Sequence, residues 1–263
     1  MLISPAGWFA WVVAAASLPV HAHDVDAEET VARVKPSIVA IGTYERTRSP
    51  QFLFRGTGFV LGDGTLVATN AHVLPAKLNA DRQEQLSVLI PLTSAEGLGT
   101  RRAKLRAARL VANDETHDLA LLKIDGPPLP ALKLGDSSAI REGRSVLFTG
   151  FPIGSVLGAY PATHRALVAA ITPIAIPQGN AGQLNAATAK RLEAGAFPVF
   201  QLDGTAYPGN SGSPVYEAGS GAIIGVVNKV LVRATKESLL SNPSGITYAV
   251  PVEHLRALMA TVR

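Results

Sequence analysis

Cysteine is absent from the 263 residues of this chain. A structural disulfide and a cysteine-based metal centre are therefore excluded, and cysteine usage says nothing of the redox compartment. Aromatic residues are scarce at 6%, so Val, Ile, Leu and Ala must supply most of the packing. Asp, Glu, Lys and Arg are missing from residues 1–22, which sets that stretch apart. The common cofactor motifs are missing too: there is no His-Glu-x-x-His, no Walker loop and no Gly-x-Gly-x-x-Gly after a strand. The reading is of a chain with no cofactor and no metal. His21, His23, Asp24 and Asp26 are metal-ligand types close together, but they read as a flexible polar terminus.

What is present is a hydrophobic content of 47%, enough for a sizeable core in one large domain or two small ones. Eighteen prolines and twenty-four glycines suit many short strands joined by turns. The net charge is +4 and the pI about 9.5. The densest basic run is Arg101-Arg102-Ala103-Lys104-Leu105-Arg106-Ala107-Ala108-Arg109. No aromatics interleave it for base stacking, so no nucleic-acid partner is expected. It reads as a strand with Lys104 and Arg106 facing water and Ala103, Leu105 and Ala107 facing the core.

Trp8 to Ala16 is an apolar stretch of signal-peptide length, short for a bilayer span. Val20-His21-Ala22 fits a small-x-small cleavage site. Residues 1–22 are therefore read as a secretory leader, with an uncleaved anchor as the rival. Its cleavage would leave a secreted or periplasmic protein with no stable membrane insertion. Residues 23–36 follow as an N-terminal arm or short helix.

Short strand-like runs then recur. Ser37–Thr43, Gly56–Val60, Thr65–Thr69, Ser87–Pro91, Arg102–Val111 and Leu119–Ile124 make a first unit over residues 37–126. Gly62-Asp63-Gly64 is a strong hairpin signal within it. Residues 127–140, opening on Pro127-Pro128-Leu129-Pro130, read as a linker. Ser145–Thr149, His164–Ile176, Phe197–Leu202, Pro214–Tyr216, Ala222–Val232 and Ile246–Val250 make a second unit over residues 141–251. Residues 252–263, with Leu255, Leu258 and Met259 at helical spacing, predict a C-terminal helix. Residues 178–196 form an Ala-, Gly- and Asn-containing insert. The pattern is all-β, as barrels or a sandwich.

Three stretches carry chemistry. Tyr207-Pro208-Gly209-Asn210-Ser211-Gly212-Ser213-Pro214 presents one serine among small residues. A serine hydroxyl is a weak nucleophile and needs a base. His72, ending the run Ala68-Thr69-Asn70-Ala71-His72, is the candidate. Asp118, at the mouth of the apolar Leu119-Ala120-Leu121-Leu122, is the candidate orienter, with Asp114 and Glu115 as close competitors. The order His, Asp, Ser is that of one of the convergent serine-hydrolase designs.

Here the chain resembles the trypsin-like serine proteases, and most closely the bacterial HtrA/Deg branch, marked by T-N-x-H-V, D-L-A-L-L-K and G-N-S-G-G-P. Two further stretches, Gly150-Phe151-Pro152-Ile153-Gly154 and Gly245-Ile246-Thr247-Tyr248-Ala249-Val250-Pro251, resemble the branch's turn and strand motifs. The resemblance covers roughly residues 31–260, the protease domain only, with no PDZ domain expected. It implies two chymotrypsin-like antiparallel β-barrels with a C-terminal α-helix. It favours Asp118 over its competitors. It implies an oxyanion hole at Gly209, Asn210 and Ser211, and a cleft wall at Val227, Asn228 and Val230. Thr205 stands where trypsin carries its acidic specificity residue, so an Arg/Lys preference is not expected; a small or medium aliphatic residue is. The partners implied are polypeptide substrates, and a homo-oligomer is allowed.

One position departs from the branch: its second Gly after the nucleophile is Ser213 here. At negative φ the serine costs little; at positive φ it would strain the loop by about 1–3 kcal/mol. The reading is a serine endopeptidase acting on unfolded or flexible polypeptide through an acyl-enzyme. The rivals are a catalytically silent, chaperone-like peptide-binding module on the same fold, and an acyl-transfer enzyme on esters.

Overall fold

Twelve strands form two closed six-stranded barrels in the computed structural model, which describes residues 22–91, 103–154, 160–174, 197–228 and 245–262. The first barrel contains β1 (Ile38–Tyr44), β2 (Phe52–Leu61), β3 (Leu66–Thr69), β4 (Gln85–Pro91), β5 (Ala103–Asp114) and β6 (Leu119–Ile124). Its strands neighbour in the order β1-β2-β3-β6-β5-β4. The second contains β7 (Ser145–Gly150), β8 (Ala162–Ile174), β9 (Phe197–Asp203), β10 (Pro214–Glu217), β11 (Ile223–Asn228) and β12 (Ile246–Pro251). Its order is β10-β11-β12-β9-β8-β7. The pairings within the strand ladders are antiparallel, and closure removes free sheet edges. Helix α1 (Ala22–Val34) precedes the barrels and α2 (Val252–Ala260) follows them.

The local chemistry explains the hairpin that leads to the site. Asp63 accepts the N–H of Thr65 at 2.9 Å, Gly64 N–H closes the turn on Leu61 O at 3.1 Å, and Lys123 from β6 reaches Asp63 at 2.9 Å. Three apolar clusters fill the fold. One lies inside the first barrel around Ile41, Val60, Val88 and Leu122. A second lies inside the other barrel around Val146, Phe148, Leu202 and Ile224. The third joins the barrels and the helices, with Phe59, Leu119, Leu121, Phe151, Tyr216, Leu255 and Leu258 buried together. A fully buried Leu or Phe side chain contributes about 1.5–3 kcal/mol, so this third cluster holds the two halves together.

The linker is tied to both barrels rather than free. Leu129 N–H donates to Gly64 O and Leu132 N–H to Val60 O, while Lys133 O and Gly135 N–H pair with Ile223. Arg106 departs from the sequence expectation. Its side chain is buried rather than facing water, and it donates to Pro127 O at 2.6 Å beside Gly126. Ala103, expected inward, is exposed. The start of the linker folds over this strand and supplies the carbonyl that a buried guanidinium requires. The N-terminal arm is the helix α1, pinned by Thr30 and Arg33 to the β10–β11 turn at Gly219 and Ser220. The leader up to residue 21, the insert at 178–196 and Val230 lie outside the described residues.

Candidate active site

The β3 strand ends at Thr69, and the chain turns through Asn70 into one 3-10 turn, Ala71–Val73. This turn brings His72 to the barrel's end with its side chain 31% exposed. Asp118 stands immediately before β6 in a left-handed backbone, φ +54°, a conformation that Asp tolerates better than most residues. That conformation lets its two ends serve one neighbour. Its carbonyl accepts Ala71 N–H at 3.1 Å and the Asn70 side-chain amide at 3.0 Å. Its carboxylate accepts His72 N–H at 2.8 Å through Oδ1 and meets His72 Nδ1 at 2.5 Å through Oδ2.

A third donor comes from the other barrel. Asn228 Nδ2 donates to Asp118 Oδ2 at 2.8 Å, with Asn228 fully buried. A buried carboxylate is costly unless its lone pairs are filled, and here three donors converge on it. The bond to Nδ1 leaves Nε2 as the imidazole atom free to take a proton, the tautomer a general base requires. Asp114 is occupied elsewhere: it holds His117 Nδ1 at 2.6 Å.

Ser211 lies in a loop held from several sides. Its carbonyl accepts Thr57 N–H from β2 at 2.9 Å. Gly209 has φ +101° and Gly212 φ +85°, so the turn needs glycine at both. Gly209 O accepts Thr57 Oγ1 at 2.7 Å, and Pro208 O accepts Ile153 N–H at 2.6 Å. The same Thr57 hydroxyl accepts Phe151 N–H at 3.1 Å, and Thr69 Oγ1 donates to Thr57 O at 2.7 Å. Thr57 is thus a hub between the barrels, and the Phe54 ring packs against Gly209. Sequence reasoning missed both; the small-residue run Gly56-Thr57-Gly58 was the available signal. A side-chain carbon on Gly56 would meet Val73 at 2.7 Å and Ser211 O at 3.1 Å. The turn carrying His72 and the serine loop therefore flank one point. No hydrogen bond joins Ser211 Oγ to His72 Nε2 among the described residues; such pairs are commonly looser without substrate.

Asn210 N–H is spent on Tyr207 O at 3.0 Å, so it is not available to an oxyanion. Its side chain is fully buried behind the loop. The N–H groups of Gly209 and Ser211 have no acceptor among the described residues. Ser213 is not among the positive-φ residues, so it brings no backbone strain. Its hydroxyl is buried without a partner, against Gly150.

The cleft-wall expectation changes in detail. Val227 packs into the second barrel's core, and its N–H and C=O are bonded to Ser213 O and Gly212 N. Strand alternation sends Val227 inward and Asn228 toward Asp118, and both side chains are fully buried. Thr205 is half-buried on a loop pinned by Thr247, whose hydroxyl donates to Gly204 O and accepts Ala206 N–H.

A family model described as trypsin-like peptidase domain matches residues 56–226. A Pseudomonas fluorescens protein named "Probable periplasmic serine endoprotease DegP-like" is 30% identical over 209 residues, covering 80% of this chain and 34% of the relative. A protein of the same name from Marinomonas sp. is 29% identical over 196 residues, covering 74% and 33%. The chain thus spans about a third of the length of the curated relatives it matches. Among solved structures, an HtrA-type protease AlgW with a tripeptide superposes with a TM-score of 0.58 at 24% identity, over 89% of this chain and 62% of that one. A variant of that protease with a decapeptide gives 0.59 at 23%, over 89% and 66%.

Proposed function

Because the chain belongs to the trypsin-like peptidase domain family, we propose that it is a serine endopeptidase of the periplasm that cuts unfolded or flexible polypeptides. The observation that carries this is the His72 imidazole held by Nδ1 on a carboxylate that is itself fixed by Asn228. In this reading His72 Nε2 takes the Ser211 proton as Oγ attacks the scissile carbonyl. The oxyanion that forms is stabilised by the N–H groups of Gly209 and Ser211. One such donor is worth about 3–4 kcal/mol in the transition state. His72 then gives its proton to the leaving amine, and water hydrolyses the acyl-enzyme by the same route in reverse order. Asp118 stabilises the imidazolium through its contact with His72 Nδ1.

The periplasmic assignment rests on the apolar leader-like stretch before Ala22 and on the named location of the relatives. Two experiments test the proposal. A fluorophosphonate probe should label the intact protein and leave Ser211→Ala unlabelled. Unfolded casein should be degraded by the wild type and not by Ser211→Ala or His72→Ala. Peptide binding without labelling or cleavage under any condition would establish the silent binding module instead.

A further inference from the structure

We propose that Arg55 selects substrates carrying a carboxylate one to three residues beyond the scissile bond, on the leaving-group side. This rests on the serine-peptidase reading. Arg55 lies on β2 two residues before Thr57, the residue that holds the carbonyls of Gly209 and Ser211. Its guanidinium is fixed to the residues that follow the base. Nε donates to Val73 O at 2.6 Å and Nη2 to Leu74 O at 3.2 Å.

The side of the cleft follows from the chemistry. The leaving amine takes its proton from His72, so the chain that departs with it must run past His72 and the residues flanking it. Those are Val73, Leu74 and the outer face of β2, where Arg55 stands. The acyl half of the substrate lies on the other side of Ser211.

The charge is available. Arg55 is exposed, and no carboxylate pairs with it among the described residues. Two carbonyls occupy two of its five N–H groups. Backbone carbonyls fix the guanidinium without neutralising it. Holding the side chain beforehand removes much of the entropy loss that weakens surface ion pairs. The effect should lie between an exposed pair and a hydrogen bond to a fixed charge, which corresponds to a preference of roughly three- to tenfold.

The test uses the full chain and quenched peptides built on a bond it cuts in unfolded casein. Glu and Gln are compared at each of the three positions after that bond. A second pair ends two residues after the bond, as free acid or as amide. The wild type should favour Glu over Gln three- to tenfold in kcat/KM at one of the three positions. The preference should fall to about one in Arg55→Gln, persist in part in Arg55→Lys, and shrink between 50 and 500 mM NaCl. A preference only in the acid/amide pair would assign the carboxylate to a chain terminus rather than a side chain. An absent preference in the wild type, or one unchanged in Arg55→Gln, overturns the proposal. Should Arg55→Gln fail to fold, the Arg55→Lys ratio and the salt dependence decide. Should the wild type match Ser211→Ala in cutting nothing, the peptidase reading fails. Affinities of fluorescent casein-derived peptides that differ only by Glu or Gln, for wild type and Arg55→Gln, then judge the carboxylate preference separately.

Discussion

A side-chain carbon added at Gly150 would stand 1.9 Å from Ser213 Oγ, 2.9 Å from Thr57 Oγ1 and 3.0 Å from Asn210 Oδ1. The serine hydroxyl fills the space that a residue-150 side chain would need, so the two positions should be coupled. Gly150→Ala introduces a clash with a hydroxyl that is fully buried and has no hydrogen-bond partner among the described residues. Overpacking of this kind costs about 1–3 kcal/mol. At about 2–4 °C per kcal/mol for a chain of this size, the melting temperature should fall by roughly 2–12 °C. Because Ser213 follows Ser211, the proposed nucleophile, by two residues, the displacement should also reach Gly209 and Ser211. We expect kcat/KM on a quenched peptide to fall at least tenfold. Ser213→Gly alone removes a buried unpaired hydroxyl, worth about 1–3 kcal/mol, and adds chain entropy of about 0.5–1 kcal/mol. It should be neutral to stabilising. The double variant keeps the two milder contacts but loses the severe one, so it should recover most of both readouts. The four proteins form a thermodynamic cycle, and contacting residues couple by about 0.5–3 kcal/mol. Additive effects, with a coupling below about 0.5 kcal/mol, would show that the hydroxyl does not occupy that space.

Three further outcomes are expected. Asn228→Ala removes one of three donors to Asp118 and should lower kcat/KM about 10- to 100-fold, the equivalent of a hydrogen bond to a charged group; steady-state kinetics with circular dichroism as a folding control check this. Thr57→Val strands Gly209 O and Phe151 N–H together, at about 2–4 kcal/mol, while Thr57→Ser should retain most activity and stability; chemical denaturation and peptide kinetics separate the two. His254, stacked on His117 with ring centroids 3.8 Å apart, has its pKa lowered from 6.5 to about 4 by burial and then by the His117 charge. The folded value lies below the unfolded one, so its stabilising contribution is complete above pH 6.5 and is lost as pH falls to about 4. The gap sets an upper bound of about 3 kcal/mol, reduced to about 1–2 by the half-open setting of the ring. Melting temperatures between pH 7 and 4.5 should therefore decline less steeply in His254→Phe; parallel curves for the two proteins would refute the assignment.

The strands of this fold are legible because short apolar runs bounded by turn residues have few alternatives. Leu119 to Leu122 is continuously apolar because one strand face fills the first barrel while the other packs on its partner. Gly62-Asp63-Gly64 announces its own turn. The side chains proposed for catalysis are legible because each sits in a distinctive local setting. What joins them is not. Asn228 reaches an aspartate 110 positions away and Thr57 a glycine 152 positions away. Such contacts depend on the register between two barrels, which no local periodicity encodes. The same blindness hides where the side chains of Val227 and Asn228 are buried: strand spacing fixes which residues alternate, not which barrel face turns to solvent. Arg106 was misplaced for a related reason. Its long side chain follows the linker that covers it, and a pattern of charges cannot foresee that cover.

These cross-barrel bonds bear on how activity and stability divide. The third apolar cluster, with large buried side chains from both barrels and both helices, supplies the bulk of the docking energy. The polar links through Thr57 and Asn228 add at most a few kcal/mol to it. Each link nevertheless ends on a site group: Thr57 on the Gly209 and Ser211 carbonyls, Asn228 on the Asp118 carboxylate. Catalysis tolerates little displacement, since donors must meet an oxyanion that exists only in the transition state. A change at either link should therefore reduce kcat well before it unfolds the chain, whereas a change at Leu121 or Leu255 should unfold it first. The small set of hydrogen bonds sets the alignment of the halves, and the apolar contact sets only that they meet.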